Sequence, residues 1–87
     1  MVKTILRLPA VQAESGVSRS TIYLRIRQGL WPNPVKLGPR SVGWPASEVE
    51  AINAARIGGL TDDDIRALVI KLEIARKPLA TVAEVRK

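Results

Sequence analysis

The chain has 87 residues, 46% of them hydrophobic and 25% charged, which is enough for one small core and too few for two. It contains no Cys and no His, which excludes disulfides, zinc fingers and ribbons, thiol nucleophiles and every catalytic triad built on an imidazole. Lys and Arg number 14 against 8 Asp and Glu, a net charge of +6, so a polyanion is the first partner to consider and nucleic acid the leading one.

The excess charge sits in one half. From Met1 to Trp44 the cations are Lys3, Arg7, Arg19, Arg25, Arg27, Lys36 and Arg40, and Glu14 is the one acid; from Pro45 onward cations and acids balance. This asymmetry points to a basic working half and a neutral half for packing or partner contact. No apolar run approaches the roughly 20 residues of a membrane span, and Met1-Val2-Lys3-Thr4-Ile5 lacks the long apolar core of an export signal. The expectation is a cytoplasmic, nucleoid-associated protein with no membrane partner.

Taken in chain order, Thr4-Ile5-Leu6-Arg7-Leu8 is β-leaning and predicts a short strand or extended arm. Pro9 suits a helix's first turn, and a short helix to about Glu14, with Val11 inward, ends at Ser15-Gly16. Ser18 then caps a second helix that runs without a breaker to Gln28, ahead of Gly29. Its Ile22 and Ile26 share the packing face, Ser20, Tyr23, Leu24 and Arg27 lie broadly opposite, and Arg25 falls toward the packed side, where it can pair with Glu14 or snorkel.

Pro32 and Pro34 force an extended path into Val35-Lys36-Leu37, Gly38-Pro39-Arg40-Ser41 is turn chemistry, and Val42-Gly43-Trp44 forms a second strand. The result is a small β-hairpin in which Val35 and Leu37 share one face, so that it packs on the helices and presents Lys36 and Arg40. Trp31 and Trp44 are read as core anchors rather than base-stacking platforms. A third helix spans Pro45 to Arg56 with Val49 and Ile52 inward, and Ile57-Gly58-Gly59-Leu60 ends it with a flexible joint. Thr61 caps a fourth, with Ile65, Leu68, Val69, Leu72 and Arg76 at helical spacing and Pro78 closing it. Asp62, Asp63 and Asp64 are read as acids favouring that helix's dipole rather than as metal ligands. Ile70 and Ile74 add apolar surface beyond one small core's needs and predict an oligomer interface. The tail from Leu79 to Lys87 holds Thr81 and Glu84 at capping-box spacing.

Two short helices joined by Ser15-Gly16-Val17, the second with a polar and basic outer face, match the helix-turn-helix device. A major groove accepts one α-helix, whose amino-terminal side chains then meet base edges. Those positions are Arg19, Ser20, Thr21 and Tyr23, with Arg27 a turn further on. Arg19 is the strongest discriminator, because a guanidinium donates two hydrogen bonds to guanine. Tyr23 is as well suited to half-burial against the wing as to a phosphate. The hairpin makes the arrangement a winged helix, with Lys36 and Arg40 as its contacts to phosphate. About five such contacts predict a log-log salt slope near −4 or −5.

These residues resemble a known family. Ile5 to Pro9, Gly16 to Tyr23, Gly29 with Trp31-Pro32, Pro34 to Gly38, Val42-Gly43-Trp44 and Ser47-Glu48-Val49 look like the AlpA family of prophage regulatory proteins, over about Thr4 to Arg56. The resemblance implies a fold similar to the excisionase and MerR-like winged-helix group, a DNA-binding activator or repressor of mobile-element genes, and DNA contacts at the Ser18-Arg19-Ser20-Thr21 helix start and the Lys36 to Arg40 wing. One departure concerns the packing of the third helix, where Ile52-Asn53 replaces a Trp followed by an apolar residue.

The expected fold class is therefore mainly α with a small β-hairpin: a winged helix-turn-helix over 1–56, and a C-terminal helix and tail over 57–87 for packing or self-association. The expected function is a double-stranded DNA-binding transcriptional regulator, with no catalysis, cofactor or metal. An excisionase-type recombination directionality factor and a protein-interaction adaptor are the alternatives. A homodimer or head-to-tail array on DNA is expected, with RNA polymerase or an integrase as further candidate partners.

Overall fold

A computed structural model of the chain describes residues 4–76. The expectations for Pro78 and for the tail lie outside the described residues. The element order is β1 (Ile5–Leu6), α1 (Leu8–Ser15), α2 (Arg19–Arg27), β2 (Val35–Gly38), β3 (Ser41–Pro45), α3 (Ala46–Ile57) and α4 (Asp62–Ile74). The architecture is mainly helical with a small antiparallel sheet, compatible with a winged helix-turn-helix.

Each boundary has a local cause. Gly16 takes φ 73° and its N–H bonds back to the Gln12 carbonyl, which turns the chain sharply between α1 and α2. Ser18 caps α2 by accepting from the Thr21 N–H at 3.3 Å. At the other end of α2, Leu30 N–H bonds to Arg25 O at 2.8 Å and Gly29 N–H to Ile26 O at 3.1 Å, with Gly29 at φ 77°. This is the Schellman closure, and it satisfies carbonyls that a helix end leaves open. Thr61 caps α4 through the Asp64 N–H at 3.2 Å, as its spacing predicts.

The sheet differs from the expected hairpin in two ways. Of the short strand or extended arm read at Thr4 to Leu8, Ile5–Leu6 forms the strand, and it adds to the hairpin by pairing antiparallel with β3, Ile5 opposite Pro45 and Leu6 opposite Trp44, giving strand order β1-β3-β2. In the wing itself Lys36 faces Val42 and Gly38 faces Ser41, so Leu37 is an extra residue on β2. Among the described residues no non-glycine residue has positive φ, so the Pro39-Arg40 turn is not one of the primed types that match strand twist, and the ladder carries a bulge beside it. Leu37 is 45% exposed yet stays on the face of Val35, since a Cβ at Gly43, the residue opposite Val35, would lie 3.1 Å from Leu37 Cδ1.

One core joins all the helices. Val11 of α1, Ile22 of α2, Trp31, Trp44 of β3, Val49 and Ile52 of α3, and Ile65 and Val69 of α4 belong to a single buried cluster. The two tryptophans are its largest members, and Trp44 Nε1 donates to Pro32 O at 2.9 Å, so that indole is buried with its polar group satisfied. Ile52 is fully buried in the place of the expected aromatic, and Asn53 beside it donates to Glu14 O at 3.0 Å, tying α3 to the end of α1.

Candidate nucleic-acid interface

Helix α2 presents its first turn outward. Arg19 and Ser20 are exposed there, and the N–H groups of a helix's first residues have no acceptor within the helix. Thr21 is half-buried and its hydroxyl shares a hydrogen bond with Ser18 Oγ at 3.0 Å, so it serves the cap. Arg27 is exposed eight residues after Arg19, about 12 Å along the helix axis.

Tyr23 joins this helix to the wing. Its ring meets Trp44 edge-on, with centroids 6.5 Å apart and planes at 67°, and the Arg19 guanidinium lies 5.9 Å from its centroid. Both contacts are attractive for an aromatic quadrupole, one at the ring's partner edge and one over its face. Tyr23 is thus half-buried between helix α2 and strand β3, with the Arg19 guanidinium over its ring.

Around Tyr23 lies an open cleft of about 370 Å³ lined by Arg7, Leu8, Pro9, Arg19, Tyr23, Arg40 and Val42. Three arginines from three elements meet here: Arg7 from the residue that precedes α1, Arg19 from the start of α2, and Arg40 from the wing turn. Lys36 does not line the cleft. It faces Val42 directly across the β2–β3 ladder, however, and cross-strand partners point to the same face, so Lys36 lies on the cleft side of the sheet.

No acid lines this cleft, and among the described residues none of Arg7, Arg19, Arg25, Arg27, Lys36 and Arg40 takes part in an ion pair. The ion pairs belong to the other half: Arg56 with Asp62, Arg66 with Asp63, and Arg76 with Glu48. The charge asymmetry of the sequence is therefore a structural asymmetry too: among the described residues Arg56, Arg66 and Arg76 of the second half are paired with acids, and the cations of the first half are not. Of the two readings for Arg25, pairing with Glu14 or lying half-buried along the packed side, the described residues show the second. Both residues line a second cavity with Trp31, Asn53 and Arg56, where Arg25 is half-buried and Glu14 exposed, without an ion pair between them.

Arg7 was not among the candidate contacts drawn from the sequence. It stood in a β-leaning segment with no role assigned, and its membership of the basic half was the one signal available. Only the pairing of β1 with β3 brings it beside the wing.

The placement of wing and helix is held from behind by α4. Arg66 Nε donates to Gln28 O at 2.8 Å, placing a cation on the carboxyl end of α2. Glu73 Oε2 accepts from the Asn33 backbone at 2.7 Å and from its side chain at 3.1 Å, just ahead of β2. Arg76 donates to Glu48 and to Asn33 O, the latter at 2.9 Å, and its hydrogen bond with Glu48 raises its pKa above the ordinary arginine value. Asp62 and Asp63 bond Arg56 and Arg66, which accounts for two of the three acids at the start of α4.

Residues 4–57 match the family described as Prophage CP4-57 regulatory protein (AlpA). A protein of Enterobacteria phage P4 described as "Uncharacterized protein ORF88" is 52% identical over 54 residues, covering 62% of this chain and 61% of the relative's length. No solved structure matches the chain. Among the described residues, no helix is long and apolar enough to cross a membrane. With the matched span running from the start of β1 to the end of α3, the chain belongs to the AlpA family of prophage regulatory proteins.

Proposed function

We propose that this chain is a sequence-specific double-stranded DNA-binding transcriptional regulator of a prophage or other mobile element. The observation that carries the reading is the convergence of Arg7, Arg19 and Arg40, unpaired among the described residues, on a cleft between the first turn of α2 and the wing. In this reading α2 enters the major groove, with Arg19 and Ser20 at base edges and Arg27 and Tyr23 toward the backbone. Thr21 supports the helix start. Arg40, Lys36 and Arg7 lie along the adjoining phosphates.

One helix and one wing read only a few bases, so a second copy on DNA belongs to the proposal. Ile70 and Ile74 of α4, 59% and 55% exposed, are the surface proposed for it. Sedimentation that gives a monomer at high concentration, with and without DNA, removes this part.

The test of the whole is selection of bound duplexes from a random pool, followed by titration of the selected site against wild type, Arg19→Ala and Lys36→Ala. Enrichment of one motif and weakened binding by both variants support the reading. Binding that is unchanged by both substitutions at low salt overturns it in favour of a protein-interaction adaptor.

A further inference from the structure

Helix α2 carries one apolar side chain on its outer face. Leu24 is 44% exposed, four residues after Ser20 and three before Arg27, so all three lie on one stripe. The helix buries Ile22 and half-buries Ile26 on the opposite side, so Leu24 is not needed to anchor it. The other large exposed hydrophobics, Ile5, Leu37, Ile57, Leu60, Ile70 and Ile74, all lie on other elements. Along the helix axis Leu24 stands between Arg19 at the helix start and Arg27 near its end, neither of them in an ion pair among the described residues.

That combination selects its partner. Cations on both sides disfavour an oily protein surface, and a bare phosphate offers leucine nothing. The floor of the major groove offers one apolar group, the C5-methyl of thymine, beside base edges that suit Arg19 and phosphate rails that suit Arg27. We infer that Leu24 is a specificity-determining residue that reads the C5-methyl group of a thymine through van der Waals contact. This rests on the DNA-binding reading above and adds to it the identity of one base. Arg19 supplies hydrogen bonds to a guanine edge in that reading, so Leu24 sets a T·A preference beside it.

Removing one methyl from an apolar contact weakens binding about fourfold. The experiment replaces each thymine of the selected duplex in turn by deoxyuridine, which deletes the C5-methyl and leaves base pairing intact. Affinities are measured for wild type and Leu24→Ala, a substitution at an exposed helix position that raises helix propensity. The expected result is one position per bound copy at which deoxyuridine weakens wild type about three- to fivefold and Leu24→Ala not at all. Leu24→Met, which keeps an apolar tip, retains the discrimination. Tolerance of deoxyuridine at every position by wild type, with motif selection intact, overturns the inference and leaves DNA binding standing. An undiminished deoxyuridine effect in Leu24→Ala also overturns it, because another residue then reads the methyl. Failure to select any duplex removes the reading beneath it instead.

Discussion

Arg76, just past the end of α4, donates through Nε to one carboxylate oxygen of Glu48 at 2.9 Å and through Nη2 to the other, while Glu48 itself is buried in the first turn of α3. The same Nη2 reaches Asn33 O. A two-pronged pair of this kind fixes direction as well as distance, and here it locks α3, α4 and the segment leading into the wing together. The fourth helix therefore acts as a brace for α2 and the wing, beyond adding Ile65 and Val69 to the core.

Breaking that pair from one side leaves a buried carboxylate without its partner. Arg76→Ala is expected to destabilise the fold by about 3 kcal/mol in denaturant unfolding. The double variant Glu48→Leu, Arg76→Met, which removes both charges and keeps apolar volume, is expected to recover most of that loss. A single-variant loss below about 0.5 kcal/mol contradicts this account.

The three cleft arginines are expected to separate by role. Arg7→Ala and Arg40→Ala should weaken binding to all duplexes alike and reduce the log-log salt slope by about one each, as phosphate contacts do. Arg19→Ala should cost about 1 to 3 kcal/mol against the selected site and far less against unrelated DNA. Equal losses on selected and random duplexes for Arg19→Ala would place it on the backbone instead.

Ser18 allows the cap to be separated from the charge. Ser18→Ala is expected to cost about 1 kcal/mol of stability through the lost bond to Thr21 N–H. Ser18→Asp caps equally well yet sets a negative charge where phosphate is expected, so stability should hold while DNA affinity falls. Unchanged affinity in Ser18→Asp would argue that the start of α2 does not face DNA.

Gly43 marks the closest approach in the sheet. A Cβ there would lie 2.5 Å from Ile5 Cγ2 and 2.9 Å from Leu6 O. Gly43→Val is expected to displace β1 and destabilise the chain by about 1 to 3 kcal/mol. Amide exchange at Ala46, which donates to Thr4 O at 2.8 Å, should accelerate with it, and unchanged protection there would show that β1 accommodates the side chain.

Most helix limits were readable in the chain because their causes are local. Ser18 and Thr61 act on N–H groups three residues away, and Gly16, Gly29 and Gly59 reach left-handed backbone angles at no steric penalty. Periodicity likewise separated Ile22 from Ser20, and Ile65 with Val69 from their exposed neighbours. Arg19, Ser20 and Arg40 were recognisable as candidate contacts on the same grounds, since a helix start and a two-residue turn declare themselves within four residues.

What neighbouring residues do not encode is which distant segments meet. The pairing of β1 with β3, the bulge at Leu37 and the meeting of Arg7 with Arg40 depend on contacts between positions more than thirty residues apart, or on a ladder register that no single strand specifies. The brace formed by Arg66, Glu73 and Arg76 is of the same kind: each polar group finds a partner 28 to 43 residues away, chosen by packing of the shared core. Side-chain chemistry chose the parts of the basic cleft, and the closing of one core around Trp31 and Trp44 arranged them.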